Sequence, residues 1–165
     1  MVEGIFALIG VVIGSFSTVG FQMWEARRER KAAADSSQIT ASTQIMDAFW
    51  GRLDVAVRFG DVANDDRAGA FEAWGRARAR FLESDIEGRE TLSSWMDLVL
   101  TEMEEYAARG SLTWHDATIR HGRVHEGLLG WRSSDDVIRG DVVAERKRLA
   151  ARFWEEDPAN PKKQD

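Results

Sequence analysis

The chain of 165 residues contains no cysteine. That excludes disulfides, thiol nucleophiles and cysteine-ligated zinc, and it agrees with a reducing compartment. Its two prolines, Pro158 and Pro161, lie at the C-terminus, so nothing before them forces a helix to break. Runs of β-branched residues alternating with period two are missing. So are a glycine-rich phosphate loop, a Gly-x-Ser-x-Gly elbow and any Ser/His/Asp spacing that selects a triad. With these absences the expectation is a protein that is not an enzyme and takes no cofactor. Positive charge is also in deficit. The net charge is −6; residues 1–31 hold three acidic and four basic residues, +1, which leaves −7 for the rest. A domain of that charge is a poor general binder of nucleic acid, so no nucleic-acid partner is expected. Arginine outnumbers lysine 18 to 4, which fits a GC-rich coding sequence.

What is present begins with Gly4–Trp24, 21 residues without one charge, followed by Glu-Ala-Arg-Arg-Glu-Arg-Lys. At ~1.5 Å per residue such a helix spans roughly 31 Å, close to the hydrocarbon thickness of a bilayer. Its ten strongly apolar residues contribute on the order of −3 to −6 kcal/mol to insertion, less what the glycines, Ser15, Ser17, Thr18 and Gln22 subtract. A buried core helix rarely runs so long without charge. A cleaved signal peptide wants its positive charges before the apolar run, whereas here Glu3 precedes it and Arg27, Arg28, Arg30 and Lys31 follow. The reading is a single-pass transmembrane helix at 4–24 with a basic juxtamembrane helix at 25–34. The flank sets the orientation: N-terminus outside, the remaining chain cytoplasmic, the whole at the cell membrane with the lipid bilayer as its first partner. Gly10, Gly14 and Thr18 recur every fourth residue and share one face, the small-xxx-small pattern that allows self-association through the span.

Beyond the anchor the periodicity is helical. Ile39, Met46, Phe49, Leu53 and Val57 form one stripe, closed by Gly60-Asp61. Asp35-Ser36-Ser37 either breaks the preceding helix or is polar surface. A second helix over about 66–82 places Ala70, Trp74, Ala77 and Phe81 inward with Phe71 beside them. A third, Arg89–Ala108, aligns Leu92, Met96, Val99, Met103 and Tyr106 and ends at Gly110, a C-terminal cap residue. Thr113 with Asp116 three residues on is an N-cap pattern for a fourth helix that Gly130 closes. Ser134-Asp135-Asp136 opens a fifth, with Ile138, Val142, Leu149 and Phe153 on one face. The expected fold is therefore all-α: the span, then a cytoplasmic bundle of about five helices over 35–157, then a disordered tail, 158–165.

Four clusters merit weighing. His121 and His125 lie four apart on one helix and could meet a metal, but Gly122 stands where a zinc protease needs Glu, and neither Glu126 nor His115 shares their stripe, so no metal site is expected. Arg76, Arg78 and Arg80 form a basic fan, read as pairing with acidic residues of the next helix such as Asp97, Glu102, Glu104 and Glu105. Those acidic residues in turn read as a charged solvent face rather than a cation site. Trp50, Trp74, Trp95, Trp114, Trp131 and Trp154 fall near apolar stripes and are expected in the core.

This layout, an N-terminal span, the Arg27-Arg28-Glu29-Arg30-Lys31 flank and an Arg/Trp-rich helical remainder, resembles short single-pass membrane-anchored helical proteins of high-GC bacteria and their phages. The likeness is one of architecture and implies no activity. The functional expectation is a membrane-tethered interaction or scaffold protein whose bundle recruits a cytoplasmic protein. The alternative is a phage-type membrane-remodelling or lysis-associated protein that oligomerises through its span.

Overall fold

The structure is a computed structural model. Its described residues are 2–58 and 60–155, with side chains described for 27–29, 31–58 and 60–153. They form five α-helices and no strand: α1 (Val2–Val57), α2 (Asn64–Glu83), α3 (Arg89–Ala108), α4 (Trp114–Arg132) and α5 (Asp136–Glu155). Asp35-Ser36-Ser37 does not interrupt α1, since three polar residues on a helix surface leave its backbone hydrogen bonds intact. The chain divides into two units, residues 1–37 and 38–165. In the first, Arg27, Arg28 and Lys31 are exposed. The Gly4–Trp24 span, its Gly10/Gly14/Thr18 face and Arg30 fall outside the described side chains, as does the 158–165 tail. Among the described residues no helix is long and apolar enough to cross a membrane, so the structure lends the expected span no support.

The second unit has its own core. α3 lies at its centre, packed against α2, α4 and α5. Ten of its twenty residues are buried, from Leu92 to Ala107, so the helix is covered on most sides. Ile45, Phe49 and Leu53 of α1 join that core with Trp74 and Phe81 of α2, Val124 and Leu128 of α4 and Leu149 of α5. Of the expected α1 stripe, Met46, Phe49 and Leu53 are buried and Val57 packs against the core, joined by Ala41 and Ile45, while Ile39 is 52 % exposed. Phe71, expected beside the core, is 53 % exposed. Trp74, Trp95 and Trp131 are buried as expected, and Trp50 is half-buried, but Trp114 is exposed; Trp154 is outside the described side chains.

The helix ends follow local chemistry. Thr113 Oγ1 accepts from the Asp116 amide while the Asp116 carboxylate accepts from the Thr113 amide, a reciprocal capping box. The Thr113 hydroxyl also donates to the Asp116 carboxylate at 2.6 Å, and that bond first, then the one from the Thr113 amide, holds the Asp116 carboxyl below its ordinary pKa. Asp135 Oδ1 accepts from the amides of Val137 and Ile138 at 3.0 and 3.1 Å and so opens α5. Gly110, after the last residues of α3, has φ +68°, the left-handed value a glycine cap supplies. α4 runs on past Gly130 to Arg132, because Gly130 is a contact rather than a stop: a Cβ there would come within 2.3 Å of Ile138.

Candidate functional site

The most concentrated chemistry lies where α3, α4 and α5 meet. Glu102 is 2 % exposed, and both of its oxygens are taken. Oε2 accepts from Arg120 Nη2, and Oε1 accepts from Arg152 Nη1 at 3.1 Å. Arg120 also donates from Nη1 to Glu145 at 2.6 Å, and Arg152 from Nη2 to Glu105 at 2.6 Å. Trp95 Nε1 closes the network with a 3.1 Å bond to the second oxygen of Glu145. Arg148 stands 3.6 Å from Glu102 and 3.7 Å from Glu145. Three guanidinium groups thus face three carboxylates. Burying one charge alone costs far more than a matched, hydrogen-bonded set, which is the condition met here. Because every Glu102 oxygen already has a partner, the cluster ties three helices together.

That arrangement corrects the reading of Glu102, Glu104 and Glu105 as a solvent-facing acidic strip. Glu102 is the buried hub, Glu105 pairs with Arg109 and Arg152, and Glu104 pairs with Arg52 of α1. The arginine fan separates likewise. Arg78 Nε donates to Asp97 at 2.8 Å, as the antiparallel pairing predicts, and Trp74 Nε1 takes the other Asp97 oxygen at 3.0 Å. Arg76 instead pairs with Glu72 of its own helix, and Arg80 reaches Gln44 at 3.4 Å.

His121 and His125 stack nearly parallel on α4, ring centroids 6.5 Å apart and planes 4° from each other. His121 is enclosed by aromatic rings of α1: Trp50 at 5.0 Å edge-on and Phe49 at 6.4 Å. Burial, reinforced by the charge of His125, lowers its pKa from the ordinary 6.5, with Asp47 pulling weakly the other way. His115 is exposed at the start of the helix. Among the described residues no group of three or more His, Asp or Glu is placed to hold a metal ion.

Among the described residues, clefts large enough for a small molecule include one of about 400 Å³ bordered by Met103, Tyr106, Ile119 and Arg120, and two others. One of about 390 Å³ opens between α4 and α5 over Trp95, where Glu126, Asp141 and Glu145 outnumber Arg123. The other, about 250 Å³, lies between α1, α2 and α3 and is lined by Arg52, Val55, Ala56, Arg67, Phe71, Glu104 and Ala107. Arg52 is 7 % exposed, and its Nε finds no acceptor. Leaving such a donor unmet costs about 1–3 kcal/mol. Sequence reasoning placed Glu102 on a solvent face and passed over Arg52, although a signal existed. Glu102 follows Leu98 by four and Val99 by three, and Arg52 follows Phe49 by three, so each charge interrupts an apolar stripe.

No family model matches the chain, and neither a curated protein nor a solved structure matches it.

Proposed function

We propose that this chain is a membrane-tethered helical interaction protein: the Gly4–Trp24 segment spans the bilayer and residues 38–155 form a cytoplasmic recruiting module without a catalytic role. The observation behind the reading is the pairing of a 21-residue uncharged segment with a basic flank, Arg27, Arg28, Arg30 and Lys31, ahead of a bundle whose core closes on its own side chains. The densest charge cluster supports a structural rather than catalytic role, since Glu102, Arg120 and Arg152 satisfy one another. The partners implied are the lipid bilayer and a cytoplasmic protein.

Topology is the direct test. The chain lacks cysteine, so single cysteines report cleanly. One introduced at Val2 is expected to react with a membrane-impermeant maleimide in intact cells, and one at Ser36 to stay unlabelled. The opposite pattern overturns the orientation, and labelling of neither in a soluble fraction overturns the tether. The second reading, a phage-type membrane-remodelling protein, rests on the Gly10/Gly14/Thr18 repeat. Exchanging Gly4–Trp24 for an unrelated apolar span separates the two: a tether tolerates the exchange, whereas an oligomerising span loses its function.

A further inference from the structure

We propose that the contact between α1 and the first half of α4 is a pH-operated latch: in mild acid His121 takes up a proton, parts from the α1 rings and uncovers the Trp50 side chain. The geometry of that contact carries the inference. His121 stands half-buried on α4, its ring 5.0 Å from Trp50, edge-on, and 6.4 Å from Phe49. Trp50 leans in turn on Trp114, the first residue of α4, at 6.1 Å. Phe49 is fully buried and meets Trp74 of α2 at 6.1 Å. The rings that enclose the imidazole from α1 are thus neutral. They pack against a neutral ring, but neither gives an imidazolium the acceptor that its second N–H requires.

The charges that act on His121 come from two elements and oppose each other. His125, one turn further along α4, stacks over it at 6.5 Å with planes 4° apart, so two protonated rings repel. Asp47 on α1 pulls the other way, but it is exposed and water screens it. Burial and His125 prevail, so the closed contact holds a proton less well than the open one. The closed form therefore dominates while His121 is neutral, above about pH 6.5, and the open form gains as pH falls below that value. The opening stays local because the rest of α4 is held by other means. Before His121 the helix buries one apolar side chain, Ala117; beyond it Val124, Leu128 and Trp131 join the core. Gly127 and Gly130 lie too close to Trp95 and Ile138 to admit a Cβ. Arg120 remains tied to Glu102 and Glu145. What acid uncovers is thus Trp50, beside a Trp114 that is already exposed.

The test uses the full chain in lipid nanodiscs, labelled with 5-fluorotryptophan, and follows the relaxation that a neutral gadolinium chelate adds to each 19F signal. Single Trp→Phe variants assign the signals. Between about pH 7.5 and about pH 5.0 the Trp50 enhancement is expected to rise by a factor of a few, while the buried Trp95 and Trp131 stay unchanged. In His121→Phe the Trp50 rise is expected to vanish. Asp47→Asn removes the offsetting charge and is expected to enlarge the rise; His125→Gln removes the repulsion and is expected to reduce it. Both are changes at exposed positions, so they give an answer even where His121→Phe fails to fold, which circular dichroism reports. An unchanged Trp50 signal, an equal rise at Trp95 and Trp131, or a rise that persists in folded His121→Phe each overturns the latch. So does a Trp50 response that neither Asp47→Asn nor His125→Gln alters.

Discussion

Glu102 shows at residue scale how far a charge pattern alone can mislead. In sequence it sits beside Glu104 and Glu105 and reads as solvent surface; in the fold it is the least exposed carboxylate of the helix junction. Removing one partner of such a pair leaves an uncompensated buried charge. Glu102→Leu or Arg120→Met is therefore expected to cost about 3–5 kcal/mol in urea denaturation. The double variant is expected to lose less than the sum, because each change removes the charge the other strands. Single costs below about 1 kcal/mol would make the network equivalent to a surface pair. His121 gives a second prediction. Its folded pKa lies below the ordinary 6.5, so between those values the unfolded chain binds more protons than the folded one. Stability is then retained above about pH 6.5 and falls as pH drops through that value toward the folded pKa. Comparing melting at pH 7.5 and 5.0, His121→Phe is expected to lose less stability than wild type. An equal loss in both would detach the titration from the aromatic site of Trp50 and Phe49.

At the scale of elements, most helix boundaries were legible because they rest on short-range chemistry. α3 runs over the residues its periodicity predicts, and α4 opens at the Thr113/Asp116 box. The faces were less legible. Phe71 follows the apolar stripe of α2 by one position, and one position turns a helix by about 100°. That places its ring against the Arg52 guanidinium at the surface instead of in the core. Glycines were read as stops although some are contacts between elements. Gly88, before α3, has φ +69°, and a Cβ there would meet the Trp131 ring at 2.4 Å. Trp131 in turn donates from Nε1 to the Glu87 carbonyl at 2.6 Å, so the α2–α3 turn is pinned to the end of α4. Gly88→Ala combines a left-handed conformation, about 1–2 kcal/mol, with a displaced ring, about 1–3 kcal/mol. The expected loss is about 2–5 kcal/mol, measurable by thermal or urea unfolding, and a variant within 0.5 kcal/mol of wild type, about the spread of neutral surface changes, would show that the turn and ring move apart freely.

At the scale of the whole molecule, the bundle is expected to fold without the N-terminal segment, since Phe49, Phe81, Leu92, Leu128 and Leu149, from all five helices, share one core. A fragment beginning at Asp35 is expected to be soluble, helical by circular dichroism and cooperative on heating. Trp74→Asp, which puts a charge at a buried position, should abolish the transition. Arg78→Ala, at a partly exposed ion pair, should shift it by less than about 1 kcal/mol. Aggregation of the unsubstituted fragment would mean that the N-terminal segment or a partner completes the core. The sequence by itself determined what depends on near neighbours. Those features are the all-α class, the capped starts of α4 and α5, the left-handed turn at Gly110 and the uncharged N-terminal segment. Helical period, capping and hydropathy all act within one or two turns of chain. Only the tertiary structure decided which charges are buried and with whom. Arg52 and Glu104 are 52 residues apart, Glu102 and Arg152 are 50 apart, and Trp131 and Glu87 are 44 apart. Partners so distant in the chain meet only after the helices have packed, and it is the packing that turns two ordinary surface residue types, Glu102 and Arg52, into interior groups.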